Sequence, residues 1–484
     1  MLIKSMGEQS LKEKTAKGLF WGGVSNGVQQ LLGMIFGIYL GRILNAEDYG
    51  LVGMLAIFSG IASIIVNSGF TVALTNKQNV THKDYNAVFW FTFFVGLICY
   101  LVLFFSAPLI ANFYGRPELI NLSRVIFLSF FLSGIASVSY TVLFKNLLVK
   151  QQAKIDIAAM VASGLVGVIL AYKGFAYWAL ALQSVVFVGG GALLRIFISP
   201  WRPTFEFDFS PLKSMFSFSI KLFFTNVIQQ INSNVFSVLL GRFYNASEVG
   251  YYAQGNKWMV MAMQPLSGMI NMVAQPVLVE VKSEADRQVQ VFRKMIRFGA
   301  FISFPAMLGL AFIAKEFIFI TIGEKWFSSV IILQIMCLWG ACSFLYTLYT
   351  QILLVCGRSD IYLYGNVLQG ILQILFVLLV LKWGIVVMAS VYVFVYLLSL
   401  LFWAFYVNRE IGLSIWKVIQ DIIPYLGATL LSFALVWIVI KDFSNIYLLL
   451  TTKILLSASL YAGMMWFGGS TIFKDFIDFI RRNK

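Results

Sequence analysis

Fourteen apolar runs, each 18 to 30 residues long, follow one another along this chain with only short polar segments between them. A helix needs about 20 apolar residues to cross a bilayer, and lipid offers the backbone no hydrogen-bond partner. Continuous runs indicate helices, because barrel strands alternate apolar and polar residues. The sequence predicts an all-α polytopic membrane protein of about 14 transmembrane helices. The predicted spans are 18–41, 49–75, 86–111, 119–143, 155–172, 175–197, 214–241, 249–278, 297–314, 327–355, 361–381, 384–407, 418–440 and 446–469.

The low charge content excludes a water-soluble fold of this size. Of 484 residues, 12% are charged and 60% are hydrophobic, whereas soluble domains carry about 25% charged residues. The four cysteines form no C-x-x-C pair, and the chain has one histidine. We therefore expect no metal site, disulfide framework or cofactor. The first apolar run follows a basic start without a cleavage site, so we interpret it as a retained helix rather than a signal peptide.

The basic residues predict the orientation of the chain. If the N-terminus is cytoplasmic and the spans alternate, 24 of the 36 Lys and Arg residues lie on the cytoplasmic side and eight on the other. This asymmetry is typical of a multi-pass protein of the bacterial inner membrane with both termini in the cytoplasm. The formal charge of +15 is then an orientation signal with some attraction to anionic lipid, not an indication of nucleic-acid binding. Segment 280–297 is typical of an amphipathic cytoplasmic helix with a solvated charged face.

One stretch of the chain occurs twice. "LGRILNAEDYG" at 40–50 returns as "LGRFYNASEVG" at 240–250, and residues 26–50 align with 226–250 without a gap. Ten of the 25 aligned positions are identical, and several of them are polar or glycine, which shared apolar composition does not explain. Six predicted spans separate the two copies. Both copies therefore run in the same direction, which is a parallel repeat.

The repeat predicts two six-helix lobes around a central cavity. Residues 1–197 form the predicted N-lobe with helices 1–6, and 214–410 form the C-lobe with helices 7–12. Segment 198–213 is the predicted cytoplasmic linker. Residues 411–484 add helices 13–14 and a basic cytoplasmic tail. Two lobes facing each other across a cavity are the architecture of alternating access.

Polar side chains recur on one face of the repeated helix. Such a set either forms hydrogen bonds between helices of one lobe or faces the other lobe and water. Because it recurs in both copies, we predict that it lines the passage and binds substrate. The first copy consists of Asn26, Gln29, Gln30 and Gly33, and the second of Asn226, Gln229, Gln230 and Ser233. Predicted span 11 carries a similar set, made of Asn366, Gln369 and Gln373.

Charges inside a membrane span predict function by default. Four cations lie within predicted spans, namely Arg124, Lys221, Lys257 and Lys453. Lys257 shares a face of predicted span 8 with Gln264, Gly268 and Asn271, and a cation on a polar face suits an anionic diphosphate. Lys257, Gln264, Asn271 and Gln369 are therefore candidate substrate-binding residues. Lys221 is close to the cytoplasmic end of its span and is expected to reach the interface. The role of Lys453 stays open.

Several stretches resemble a known family. They are "LFWGGVSNGVQQ" at 19–30, "LGRILNAEDYGL" at 40–51, "DIAAMVASGLVGVILAYKGFAYWALALQ" at 156–183, "WRP" at 201–203, "LGRFYNASEVGYY" at 240–252, "QPLSGMINMVAQPVLVEV" at 264–281 and "GEKW" at 323–326. Together they resemble the Wzx-type lipid-linked oligosaccharide flippases of the MOP superfamily, in particular the colanic-acid and teichuronic-acid exporter group.

The resemblance implies a flippase without covalent chemistry, which turns a polyprenyl diphosphate-linked sugar repeat unit from the cytoplasmic to the outer leaflet. It implies twelve core helices plus one additional pair, and it places the chain in exopolysaccharide or lipopolysaccharide biosynthesis. Membrane lipids, a polysaccharide polymerase and export machinery are further expected partners. The alternatives are a cation-coupled multidrug exporter of the same superfamily and a membrane enzyme. The first usually needs intramembrane carboxylates, and the second needs large external loops with catalytic residues, which this sequence lacks.

Overall fold

The predicted all-α class is confirmed. A computed structural model describes residues 2–66, 70–441 and 443–482, and the regular secondary structure in these ranges is helical. The chain divides into two compact units, 1–250 and 251–484. Unit 1 includes the helix predicted as the seventh span, which packs on neighbours from the first half of the chain. The assignment of lobes at 1–197 and 214–410 therefore stays a prediction.

Unit 1 holds ten helices among its described residues and the start of an eleventh. In chain order these are α1 (Leu2–Ile43), α2 (Ala46–Met54), α3 (Ala56–Val66), α4 (Phe70–Asn76), α5 (His82–Tyr114), α6 (Leu119–Ile126), α7 (Leu128–Lys145), α8 (Val149–Tyr172), α9 (Tyr177–Ile198), α10 (Leu212–Phe243) and α11 (Ala246–Glu280), which continues into unit 2. Helices α1, α8 and α9 pack side by side, and α10 lies against α3, α4 and α5.

Unit 2 holds the remaining helices. They are α12 (Ala285–Phe312), α13 (Ala314–Thr321), α14 (Phe327–Val355), α15 (Ser359–Leu379), α16 (Ile385–Ile411), α17 (Ile415–Val439), α18 (Ile446–Phe467) and α19 (Thr471–Arg482), with single 3₁₀ turns at Glu324–Trp326 and Leu381–Trp383. Helix α14 is the centre of this unit, because α12, α13, α15 and α16 all pack on it. Helices α17 and α18 add to this core through α12 and α13.

The chain is a multi-pass membrane protein. Eleven helical segments within the described ranges are long and apolar enough to cross a bilayer. Each of the fourteen predicted spans falls on one helix or on consecutive helices, but the count of fourteen stays a prediction. Three predicted spans are not among these eleven segments. They lie on α1, α10 and α11, which carry polar faces described above.

The charged segment 280–297 does not form a separate helix. It belongs for most of its length to α12, which begins at Ala285 and continues without a break to Phe312. Its charges are also not uniformly solvated, because Arg293 donates to the buried carboxylate of Asp421 on α17. Most charged side chains of the segment are exposed, as expected of a solvated face, but Arg293 has a buried partner 128 residues away.

The predicted linker is held against unit 1. The linker runs between α9 and α10, and the side-chain amide of Asn86 on α5 makes two hydrogen bonds to its backbone. It donates to the carbonyl of Glu206 at 2.6 Å and accepts from the N–H of Thr204 at 2.9 Å. The indole N–H of Trp90 donates to the carbonyl of Thr204 at 2.8 Å. The indole of Trp201 donates to His82 at 3.1 Å. The linker is therefore an ordered connection fixed to the start of α5.

Replacing Asn86 with alanine is expected to release this segment. Asn86 is 2% exposed, so the substitution leaves two backbone groups without their partner, which typically costs about 1–3 kcal/mol. Amides in 204–207 should exchange hydrogen about tenfold faster, since about 1.4 kcal/mol is a factor of ten. Hydrogen–deuterium exchange measures this. Asn112→Ala, at an exposed position of the same helix, is the control, and equal exchange in the two variants would contradict the assignment.

Candidate functional site

The polar face of α1 is only partly buried. Asn26 is exposed, while Gln29 and Gln30 are half-buried. The Gln29 side chain donates to the hydroxyl of Ser25 one turn earlier, at 3.0 Å. Farther along the same face, a Cβ on Gly33 would lie 3.2 Å from Met160 of α8. The face therefore packs on α8 at one end and leaves an amide accessible at the other.

The second copy of this face, on α10, has a similar distribution. Asn226 is exposed, and Gln229 and Gln230 are half-buried. Gly60 of α3 makes room for one of these amides, because a Cβ there would lie 1.6 Å from Nε2 of Gln230. The hydroxyl of Ser233 donates to the carbonyl of Gln229 at 2.8 Å. Packing against α3 thus explains the position of the Gln230 side chain, while the side chain of Asn226 stays exposed.

The ends of the two repeat copies cross each other in unit 1. A Cβ on Gly50 would lie 1.7 Å from the carbonyl oxygen of Ala246, and a Cβ on Gly250 would lie 1.8 Å from that of Ala46. Real Cβ atoms do not approach a backbone oxygen so closely, so only glycine permits the crossing. The two contacts are reciprocal, as expected when equivalent residues of two copies are related by a two-fold axis. We call these four residues the glycine crossing.

The identical asparagines of the repeat explain how the crossing is built. Asn45 caps α2, and its side chain accepts the backbone N–H of Asp48 at 3.0 Å. Asn245 accepts the N–H of Glu248 at 3.0 Å, at the start of α11. An asparagine at the N-cap satisfies a helix-end donor and fixes where the helix begins. Each cap therefore places its alanine and glycine at the same positions of the first turns.

The predicted face of α11 lies largely on the surface of unit 2. Gln264 and Asn271 are exposed, and Lys257 is half-buried with its Nζ 5.6 Å from the centroid of the Trp258 ring. Asn271 accepts a hydrogen bond from Gln351 of α14 at 3.2 Å. The structure therefore exposes Gln264 and Asn271 on this face, while Lys257, two turns before Gln264, is half-buried. The side chain of Lys221 lies outside the described residues.

Gln369 occupies a different environment from the other predicted residues. It is 3% exposed, within the interior of unit 2 rather than on an open face. Its Oε1 has no hydrogen-bond partner among the described residues, and both amide atoms of Gln373 are in the same situation. Asn366, one turn earlier, accepts from the phenol of Tyr346 at 2.9 Å. This set does not join the accessible face of α11 within its unit.

Sequence reasoning missed the glycine crossing, although its signal was present. Gly50/Gly250 and Ala46/Ala246 are among the ten identities of the repeat. A glycine repeated at the fifth residue of two helices, after a repeated asparagine cap, points to a close backbone contact. The identities indicated the repeat, but which backbones they bring together is visible only in the structure.

Comparisons with known proteins agree with this architecture. The family described as "Polysaccharide biosynthesis protein" matches residues 39–331. The chain belongs to this family. The match covers the end of the first repeat copy from residue 39, the whole second copy, the glycine crossing and the polar face of α11, and it confirms the resemblance found in the sequence.

Relatives of this polysaccharide biosynthesis protein family include two named bacterial proteins. The chain is 25% identical over 359 residues to the teichuronic acid biosynthesis protein TuaB of Bacillus subtilis (strain 168), covering 74% of each chain. It is 22% identical over 371 residues to the lipopolysaccharide biosynthesis protein WzxC of Escherichia coli (strain K12), covering 75% of each. Among solved structures, the lipid II flippase MurJ in its inward closed conformation matches with a TM-score of 0.78 at 15% identity, over 95% of this chain and 100% of that one. At this identity the match shows a shared fold.

Proposed function

We propose that the protein turns polyprenyl diphosphate-linked oligosaccharide repeat units from the cytoplasmic to the outer leaflet of the bacterial cytoplasmic membrane, for polysaccharide export. Membership of a polysaccharide biosynthesis family supports the pathway, and relatives named for teichuronic acid and lipopolysaccharide biosynthesis support a lipid-linked saccharide substrate. The fold shared with a lipid II flippase supports movement of the carrier rather than covalent chemistry on it.

The observation that carries this proposal is the exposure of amides on helices of membrane-spanning length. Asn26 and Asn226 are exposed on unit 1, and Gln264 and Asn271 are exposed on unit 2. An amide facing hydrocarbon loses its hydrogen bonds to water at a cost of several kcal/mol. These faces therefore suit a water-filled passage, where they would bind the hydroxyl groups of a saccharide.

The distribution of charge favours an anionic substrate over an organic cation. A cation exporter needs a carboxylate available inside the membrane, whereas the charged residue on the polar face of α11 is the cation Lys257. Three carboxylates within the longer helices and α13 are matched by basic partners: Asp156 with Arg195, Glu316 with Lys453 and Asp421 with Arg293. An ammonium beside amides suits a diphosphate, because hydrogen bonds between ionised groups are the stronger ones.

Transport would proceed by alternating access. The sugar diphosphate head enters the wet passage from the cytoplasmic side while the polyprenyl tail stays in lipid, and the two lobes then rock to open the other side. Lys257 would bind the diphosphate of the head. The termini are cytoplasmic in this scheme, and the substrate must bind the two states with different affinities to bias the cycle.

Lys257→Ala and Lys257→Glu are expected to reduce polymer export in a strain that lacks its own exporter. Loss of a charge-assisted contact typically costs about 1.5–3 kcal/mol, which corresponds to about a tenfold to hundredfold fall in substrate binding. Lys257→Glu should be the more severe, because it places a negative charge beside the diphosphate. Surface polymer and accumulated polyprenyl-linked saccharide are measured together, since a block in flipping raises the second as it lowers the first.

Lys382→Ala is the matched control. Lys382 is an exposed cation of unit 2, in the turn before α16, so its loss changes the net charge without touching the polar face of α11. We expect full export from this variant. Full export by both Lys257 variants would instead overturn the role assigned to Lys257.

A further inference from the structure

Two arginines of α12 converge on one carboxylate of α17. Arg293 binds Asp421 through both ends of its guanidinium, with Nε 2.7 Å from Oδ2 and Nη2 3.0 Å from Oδ1. Arg297, one turn later on α12, places its Nε 3.4 Å from the same Oδ1. Asp421 is 6% exposed, so the carboxylate is inside the cluster and the arginines form its outer layer.

This cluster has more positive than negative charge. Arg293 alone satisfies both carboxylate oxygens in the fork geometry that guanidinium and carboxylate prefer. Arg297 reaches the carboxylate only with Nε, which also lies 3.5 Å from the carbonyl of Arg293. Its two terminal Nη groups have no partner among the described residues, although about two thirds of the side chain is buried, with 34% exposed. The guanidinium of Arg297 is thus held in place through Nε, and the N–H donors of its two Nη groups are available to an anion.

The surroundings identify the kind of anion. On one side of the cluster, Phe301 packs against Tyr425 and Tyr461, with ring centroids 6.1 and 5.9 Å apart. On the other side, Lys417 and Trp416 are exposed in the first turn of α17. Exposed tryptophan and basic residues at a helix end are typical of the boundary between hydrocarbon and headgroups. A ligand here would meet donors and an apolar surface together.

We propose that Arg297, with Arg293 beside it, binds the phosphate of an acidic phospholipid headgroup at the surface where α12 packs against α17. Guanidinium groups bind phosphate in two-pronged geometry, and basic pockets between membrane helices are suited to acidic headgroups. Phe301, one turn after Arg297 on α12 and half-buried, provides an apolar surface for an acyl chain beside the cluster. The lipid would complete the charge balance of the cluster and join the additional helix α17 to α12.

The test compares Arg297→Gln with Arg287→Gln in the purified full-length protein. Arg287 lies on the same helix and is 59% exposed, paired with Glu284 at 3.0 Å, so its loss removes an equal charge away from the cluster. Each variant is titrated with phosphatidylglycerol in detergent, and bound lipid is counted by native mass spectrometry. Arg297→Gln should bind phosphatidylglycerol about fivefold more weakly, the effect typical of one basic residue beside an acidic membrane. Arg287→Gln should match the unmodified protein.

Two further measurements distinguish lipid phosphate from free phosphate, and a lipid site from a cluster with only a structural role. Inorganic phosphate alone should not displace phosphatidylglycerol. Displacement would show that the site takes free phosphate and would overturn the lipid assignment. Asp421→Asn removes the competing carboxylate and should bind phosphatidylglycerol more tightly than the unmodified protein, which a merely structural cluster would not do. Equal lipid binding by Arg297→Gln and Arg287→Gln would overturn the proposal.

Discussion

Export is expected to fall to the background of an exporter-free strain when Gly50 is replaced with valine. In the glycine crossing, the first atom of that side chain would lie 1.7 Å from the carbonyl oxygen of Ala246. The obstacle is backbone rather than the end of a flexible side chain, so α2 and α11 must separate. Overpacking that side chains can absorb costs about 1–3 kcal/mol, and here the helices themselves must move.

The physical consequence is the loss of one conformation. If the lobes alternate between two states, the crossing belongs to the state seen here, and a variant that cannot form it is shifted to the other. Gly250→Val should have the same effect, because its Cβ would lie 1.8 Å from the carbonyl of Ala46. Polymer at the cell surface and the midpoint of thermal unfolding in detergent are the two measurements.

Gly190→Val and Gly463→Val are the matched controls for the crossing. A Cβ at either glycine would meet nothing within 4 Å, and both lie within helices, on α9 and α18. They therefore carry the same helix-propensity penalty for a β-branched residue without a clash. Export by Gly50→Val at the level of Gly190→Val would show that the crossing is not needed for transport.

The sequence predicts those features of this fold that depend on neighbouring residues. The length of the apolar runs predicts where helices lie, because a bilayer imposes one length on all of them. The repeated asparagines Asn45 and Asn245 cap α2 and α11 through three or four adjacent residues, which is also a local signal, although the predicted spans begin only at 49 and 249. The polar face of α11 is also a local pattern, and Gln264 and Asn271 do lie exposed on it.

Contacts between distant residues could not be predicted in the same way. Asp421 lies near the start of the predicted span 418–440, but the sequence does not indicate that Arg293 reaches it across 128 residues. Gln369 has the same helical spacing as the accessible amides, yet it lies in the interior of unit 2. Periodicity determines which residues share a face, whereas the packing of other helices determines whether that face is covered. Candidate residues chosen from periodicity alone therefore include both kinds.

Lys453, whose role the sequence left open, pairs with Glu316 in the interior of unit 2. Its Nζ lies 3.0 Å from Oε1 of Glu316 and donates to the carbonyl of Phe312 at 3.0 Å. The two side chains are only 11% and 7% exposed. The pair joins α18 to α13, so the additional helix pair is attached to the bundle by a buried ionic contact.

Lys453→Met is expected to destabilise the protein strongly, because it leaves the Glu316 carboxylate buried without its counter-ion. Breaking a buried pair in this way costs about 3–5 kcal/mol. Removing both charges, in Lys453→Met with Glu316→Leu, should restore most of the stability, since replacing a whole buried pair with apolar side chains is often neutral. Thermal unfolding in detergent measures both effects.

The double variant distinguishes a structural pair from a transport residue. If Lys453 serves only to neutralise Glu316, the double variant regains export along with stability, and Lys441→Met, at an exposed cation near the end of α17, changes neither. If it regains stability without export, the charges themselves take part in transport. A Lys453→Met protein as stable as Lys441→Met would contradict the buried pair altogether, because an isolated carboxylate at this depth cannot be accommodated without cost.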